Sequence, residues 1–396
     1  MDRIKGFNPV DIGSLGIPEV GVGMLGYRFM GRAHSNAYHR MPMFFWPPAA
    51  RPRLIAMCGR TGPAVKEMAT RLGYEGYYTD LDEMLADPRI ALFDNCASAN
   101  AHAEPTLAAI RAGKHVLCEK PLATTAADAR KMWQAAEAAG VVHMTGFNYR
   151  LVPAVRFVRE LIDQGVIGQL YSFRGAYLQE GGDNPDRPWS WRSDKSQGGY
   201  GAIGDIGVHI IDLARFLMGE IKALTAMTQT FVRERPLADR PGEMGKVTVD
   251  DAFVSTVAFE SGAIGTIEAS KVATGRKNQN TFEINGSKAS VVFDLERLNE
   301  LQIYLKEGTP EGLQGFSTVS ITERDHPFYQ FWWPHGHIIG WEHSFVHEVN
   351  LLMRAIVLGE PLAPYAATFE DGYRALAVGE AAVESSETGR RIDLTY

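Results

Sequence analysis

Between Val20 and His34 the chain passes from an apolar run straight into a glycine turn and then a helix. Val20 to Leu25 suits a buried strand, Gly26 the tight turn after it, and Gly31 the close packing of helix on strand. The literal spacing Gly-x-Gly-x-x-Gly falls earlier, on Gly21, Gly23 and Gly26. That register leaves only Leu15 to Val20 for the strand, and Pro18 interrupts it. The later register is physically better, although it puts Arg28 at the position of the middle glycine. Arg28 then stands as a cation beside the pyrophosphate of a bound dinucleotide. Gly26, Tyr27, Arg28, Phe29, Met30 and Gly31 are accordingly the candidate phosphate-loop residues.

Strand and helix patterns alternate from here to about residue 145. The first helix holds Phe29 to His39, and Met41 to Pro48 reads as an apolar, proline-rich loop: a lid, a subunit contact or a locally packed turn. Arg53 to Cys58 is the second strand, ending in Gly59-Arg60-Thr61. An acid here serves the ribose hydroxyls of NAD, whereas an arginine accommodates a 2′-phosphate. With Gly59 and Arg60 as candidates and no acid among the three, NAD and NADP both stay open. Helices Pro63 to Leu72 and Leu81 to Ala86 and a strand from Ile90 to Asn95 follow. The next helix opens at Ala99-Asn100-Ala101-His102 and runs to Ala112, with Asn100 and His102 counted among the cofactor candidates. Thr124 to Ala139 is a helix with Thr125 as cap and Gly140 as stop, and Val141 to Thr145 is a last strand. Such alternation predicts a doubly wound parallel sheet with helices on its faces.

Within it, Val116-Leu117-Cys118 is a short buried strand followed at once by Glu119-Lys120-Pro121. Ligands of open α/β sheets bind beyond the carboxyl ends of strands, so Lys120 stands where chemistry would occur. A surface lysine in a turn is the competing reading. Pro121 fixes the backbone there and permits a cis bond.

After residue 147 the pattern changes. Pro153 to Gln164 is a helix, and then strand-like runs dominate: Leu170 to Tyr177, Ala223 to Val232, Val247 to Phe259, Ala263 to Val272, Gln279 to Asn285, Ser290 to Asp294 and Leu301 to Leu305. Tight turns such as Asn285-Gly286 join several of them, which predicts a large, mostly antiparallel sheet. Helices are expected over Val208 to Leu217, Glu342 to Leu358 and Phe369 to Ser386. The expected division is a dinucleotide-binding domain over 1–147 and an α+β domain over 148–396, within which a glycine-rich loop, Gly198 to Gly207, leads into the helix that carries His209. Asp205 and His209 are four apart, hence on one helical face. A carboxylate there would raise the imidazole's proton affinity and orient it, and a histidine suits the proton transfer of an alcohol dehydrogenation. A solvated ion pair is the plainer reading of the same spacing.

Composition narrows the classes. A net charge of −7 with no basic stripe argues against a nucleic-acid partner. No run of about 18 apolar residues occurs, so no membrane span is expected. The start Met1-Asp2-Arg3-Ile4-Lys5 has no apolar segment behind it, residues 1–17 read as a loosely held leader, and no signal peptide is expected. Cys58, Cys96 and Cys118 sit in apolar contexts without ligand spacing and read as reduced, consistent with a cytoplasmic protein. His335, His337, His343 and His347 cluster, but a structural role is preferred over a metal site.

The stretches Ala112 to Pro121 and Gly204 to Asp212, with Gly26 to His34, resemble the glucose–fructose oxidoreductase / inositol dehydrogenase / MocA family. The resemblance implies a Rossmann domain plus an α/β domain whose open sheet mediates homo-oligomers, dimers or tetramers. It implies NAD or NADP as cofactor, no metal, and a catalytic set of Lys120, Asp205 and His209, with His209 as acid/base and Glu119 as a support beside the cofactor. Met41 to Trp46, Phe147 to Arg150, Arg174 to Gln179 and Ser190 to Arg192 are similar to the levoglucosan dehydrogenase-like branch. By that similarity Tyr149, Gln179, Trp191 and Arg192 are sugar-site candidates: aromatic faces cover C–H faces, and amide and guanidinium groups bind hydroxyls. Core packing is the competing reading for Trp189 and Trp191, and a helix-entry pair for Tyr149 and Arg150. The function implied is hydride transfer between nicotinamide and a sugar, cyclitol or glycoside hydroxyl. Redox-assisted glycoside cleavage with recycled cofactor and a non-enzymatic dinucleotide-binding regulator stay open as alternatives.

Overall fold

The computed structural model describes residues 15–396, so the leader reading lies, for residues 1–14, outside the described residues. The first layer is built from β1 (Glu19–Leu25), α1 (Phe29–Phe44), β2 (Arg51–Cys58), α2 (Gly62–Leu72), β3 (Gly76–Tyr78), α3 (Leu81–Ala86), β4 (Leu92–Asn95), α4 (Ala103–Arg111), β5 (His115–Cys118), α5 (Ala126–Ala139) and β6 (His143–Thr145). All pairings are parallel, in the order β3-β2-β1-β4-β5-β6. The order reverses between β1 and β4, which opens a crevice at the carboxyl ends of those strands. Gly21 and Gly23 lie inside β1, where a Cβ on Gly21 would stand 1.8 Å from the Arg89 carbonyl oxygen. Those two glycines serve strand packing, and the turn is Gly26.

Two local expectations change. Helix α1 continues through Met41 to Phe44 with Pro42 inside it, where a loop was expected. The reason is burial: Met41 and the following Phe45 are in the core, and one lost backbone bond at Pro42 is a smaller loss than exposing them. The three-residue strand β3 carries too little pattern to be seen in the sequence.

The second sheet follows α6 (Pro153–Asp163) and comprises β7 (Leu170–Leu178), β8 (Ile221–Gln229), β11 (Ala252–Phe259), β12 (Ile264–Ser270), β13 (Gln279–Gly286), β14 (Ala289–Asp294), β15 (Glu300–Leu305), β16 (Ser317–Ser320) and β17 (Ile392–Asp393). Between β7 and β8 lie the short helix α7 (Lys195–Gly198) and α8 (Val208–Met218); a separate hairpin, β9 (Glu234–Pro236) with β10 (Met244–Lys246), precedes β11. The nine strands are ordered β16-β15-β14-β13-β7-β12-β11-β8-β17, antiparallel except for the central pair β7 and β12. Helix α8 covers one face: a Cβ on Gly175 of β7 would meet Ile210 at 2.8 Å. The opposite face leaves Met227, Val254 and Ile264 exposed. The tail returns to the first layer, with α9 (His343–Leu358) against α1 and α10 (Phe369–Thr388) against α5 and β8. No helix among the described residues is long and apolar enough to cross a membrane.

Candidate active site

The carboxyl end of β5 meets the carboxyl ends of β7 and β12 across a cleft of about 630 Å³. Lys120, Asp205 and His209 all line it. The Lys120–Pro121 bond is cis. The Lys120 ammonium donates to the backbone oxygen of Asp205 (2.8 Å) and lies 3.4 Å from Oδ1. On the other carboxylate oxygen sits a second cation, Lys271 Nζ, at 3.0 Å. Enclosure would raise the Asp205 pKa, but Lys271 and Lys120 together outweigh it and hold the carboxyl far below its usual range.

Asp205 therefore spends its oxygens on lysines, not on His209. The segment Ile203–Gly207 is a π-turn, so the four-residue spacing does not stack the two side chains as an α-helix would. Burial, reinforced by Lys120, pushes the His209 pKa well below its ordinary value, and the Asp205 charge offsets this only in part. The sign is opposite to that expected from the sequence, because desolvation exceeds the attraction of one carboxylate that is already paired. Nδ1 of His209 is buried without a partner. Its ring is caged by Phe147, Tyr149 and Tyr177, with centroids 5.7, 4.7 and 5.8 Å away.

The sugar-site candidates Tyr149, Gln179, Trp191 and Arg192 also line the cleft, with the Arg192 guanidinium 4.5 Å from the Trp191 ring. Trp189 does not: its indole N–H donates to the Lys246 oxygen on the β9–β10 hairpin. Arg150 is a structural group, buried and clamped on Asp212 (2.8 and 2.5 Å) and Asp371 (2.8 Å). Lys271, Tyr177, Asn278 and Trp341 join the site although none is a sequence candidate; Tyr177 alone lies in a stretch singled out in the sequence, Arg174 to Gln179. Lys271 gives no signal, because it falls inside the run Ala263 to Val272 that reads as strand, whereas β12 ends at Ser270.

On the opposite side the phosphate-loop candidates form a cradle that fits a dinucleotide. Gly26 has φ +96°, and a Cβ there would stand 2.6 Å from the Cys96 carbonyl oxygen. A Cβ on Gly31 would stand 2.3 Å from the Gly26 oxygen, so both positions exclude side chains. Phe29 and Met30, at the N-terminus of α1, line the cleft, and Arg28 is exposed at the helix cap. The Tyr27 ring lies over Gly59, where a Cβ would approach it to 2.4 Å, and Arg60 is exposed just beyond. His102 lines the cleft too, but its Nδ1 is 2.8 Å from the Pro121 oxygen, which braces the turn after Lys120. Asn100 is exposed, accepts from Ser98 Oγ, and is not brought to the cleft wall.

Glu119 supports Lys120 from below. One oxygen accepts the Lys120 backbone N–H (3.1 Å) and the other lies 3.1 Å from His34 Nε2. His34 Nδ1 is in turn 2.9 Å from Asp94. Burial works against a charge on His34, yet Asp94 outweighs it and raises the imidazole well above its ordinary pKa. Glu348 reaches this group from α9, fully enclosed, with one oxygen unpartnered. His34, Asp94 and Cys96 are near enough to hold a metal ion, but their short contacts to one another already account for the grouping. The four-histidine cluster of the sequence is dispersed: His335 and His337 are exposed, and His347 bridges Trp332 (2.8 Å) and the Leu151 oxygen (2.8 Å). The three cysteines are buried and unpaired.

A two-layer chain with a dinucleotide cradle facing a histidine and a lysine across a polar cleft defines a nicotinamide-dependent oxidoreductase. Models of the oxidoreductase family with an NAD-binding Rossmann fold and of the GFO/IDH/MocA C-terminal domain match residues 20–147 and 155–292, and the chain belongs to this family. It is 40% identical to levoglucosan dehydrogenase of Pseudarthrobacter phenanthrenivorans over 94% of this chain and 97% of that one. It is 29% identical to myo-inositol 2-dehydrogenase of Thermotoga maritima, over 83% of this chain and 87% of that protein. A solved structure of levoglucosan dehydrogenase with NADH and L-sorbose superposes with a TM-score of 0.92 at 40% identity, covering 96% of this chain and all (100%) of the other.

Proposed function

We propose that the chain is an NAD- or NADP-dependent dehydrogenase that oxidises a hydroxyl of a sugar, cyclitol or glycoside, with the ketone as substrate in reverse. One observation carries this: a neutral, caged His209 faces the same cleft as Lys120, opposite the cradle at Gly26. A bound nicotinamide supplies the hydride acceptor. His209 takes the hydroxyl proton, and its depressed pKa keeps it able to do so below neutral pH. Lys120 places a positive charge where the substrate oxygen becomes anionic, held there by both the backbone and the carboxylate of Asp205. Lys271 keeps Asp205 ionised, so Asp205 works as an anchor. Gln179, Trp191, Arg192 and Tyr149 form the wall that holds the sugar. The lack of an acid after β2 and the exposed Arg60 suit either dinucleotide.

The test is a reduction screen of NAD and NADP across levoglucosan, myo-inositol, other sugars and glycosides. His209→Asn is expected to reduce kcat at least about a thousandfold while leaving dinucleotide affinity intact. Turnover by that variant at a tenth of the wild-type rate would sink the mechanism. Stoichiometric NAD(P)H formation separates simple dehydrogenation from oxidation–elimination, which recycles its cofactor. We further propose the domain division at 147/148 and a homo-oligomer formed through the exposed face carrying Met227, Val254 and Ile264. A monomeric mass in solution would refute the latter.

A further inference from the structure

The register of the second sheet creates a contact that no motif marks. β7 runs antiparallel to β13 with Leu178 opposite Gln279, so Gln179 faces Asn278. The connection from β12 to β13 is pinned across this point: Gln179 N donates to the Ser270 oxygen (2.8 Å) and Ala273 N to the Gln179 oxygen (2.9 Å). Asn278 Oδ1 accepts from Gln179 Nε2 and from the Tyr177 hydroxyl, both at 2.7 Å. A phenol has one proton. Because Tyr177 donates its own to Asn278, the proton in the 2.8 Å contact between Tyr149 and Tyr177 is that of Tyr149. At the far end the Trp341 indole, a donor only, gives its N–H to the Tyr149 oxygen at 3.3 Å. The chain of bonds therefore runs one way, from Trp341 to Asn278, and ends on a carbonyl oxygen with two lone pairs. Both phenol rings in it belong to the cage around His209.

We infer that Asn278 is a positioning residue of this site: as a double acceptor it sets the direction of the hydroxyl chain and locks Tyr149 and Tyr177 around His209. The inference rests on the dehydrogenase reading. The arrangement leaves Gln179 Oε1 as an acceptor and Asn278 Nδ2 as a donor on the cleft wall. That pair matches neighbouring hydroxyls of an uncharged polyol, each of which gives one hydrogen bond and accepts another. It disfavours a carboxylate, which cannot donate to Oε1.

The test uses the full chain with NAD or NADP, whichever it reduces faster, and whichever of levoglucosan, myo-inositol or D-xylose it oxidises fastest. Asn278→Asp keeps both accepting contacts and loses the Nδ2 donor, so KM should rise about tenfold while kcat falls less than about fivefold. Asn278→Ala removes the anchor of the chain, and kcat should fall a further tenfold or so as the cage loosens. Tyr177→Phe cuts the chain without touching the Gln179–Asn278 pair, so it should lower kcat with KM little changed. Affinity for that dinucleotide, read by protein fluorescence, should be the same in all three. Should Asn278→Ala fold poorly, the Asp and Phe variants decide: the inference requires kcat of the Asp variant to exceed that of the Phe variant. An active wild type with Tyr177→Phe and Asn278→Ala both within twofold in kcat overturns it. A wild type that reduces neither NAD nor NADP with any probe overturns the dehydrogenase reading itself.

Discussion

Glu348 is a carboxyl group with nowhere to put a charge. It lies on α9, fully buried, with Oε2 unpartnered and Asp94 and Glu119 close by. Burial pushes its pKa up to about 8, and the neighbouring carboxylates add to this against the opposing effect of His34. In the folded chain it therefore holds its proton at neutral pH, whereas unfolded it ionises near 4.5. The folded state binds the extra proton between these values, so stability falls as pH rises from about 4.5 to about 8 and levels off above. At about 1.4 kcal/mol for each pH unit, the loss approaches roughly 4–5 kcal/mol. Glu348→Gln keeps the shape and hydrogen-bonding capacity but has no proton to lose. The variant should match the wild type to within about 1 kcal/mol at pH 5 and exceed it by about 4 kcal/mol at pH 9. Urea unfolding followed by tryptophan fluorescence at pH 5, 7 and 9 measures this. A difference that is the same at pH 5 and pH 9, or that favours glutamate at pH 9, refutes the reasoning.

The depressed pKa of His209 places the acid limb of kcat/KM for oxidation below pH 6.5; a limb centred at 7 or above would contradict the assigned base. Arg150→Met leaves Asp212 and Asp371 buried with their shared cation removed, and should destabilise the fold by about 3–5 kcal/mol, read by denaturant unfolding; a loss under about 1 kcal/mol would show that the clamp is not needed.

Much of the first sheet was legible because its signals are local. The turn at Gly26, the cap at Thr125 and the stop at Gly140 each depend on a few adjacent residues, and each stands where the pattern puts it. Helix α1 outran its expected end because Met41 and Phe45 are buried by the distant tail segment around Phe331 and Trp332. The two sheets follow from periodicity and turn chemistry, whereas the grouping of Lys120 with Asp205 came from the family resemblance and the parallel pairing of β7 with β12 had no local signal.

What the sequence could not contain is the balance among groups far apart in the chain. Whether His209 gains or loses proton affinity depends on enclosure and on Lys271 claiming Asp205, not on a four-residue spacing. Asn278 reaches Gln179 only through the pairing of β7 with β13, about a hundred residues on, and Glu348 reaches Glu119 only because α9 folds back on α1. The sequence by itself determined the alternating first layer, the glycine cradle and the placement of Lys120 at a strand end. Tertiary structure alone decided which carboxylates are paired, which stay protonated and which hydroxyls face the cleft, because desolvation and long-range register act between segments that no local pattern joins.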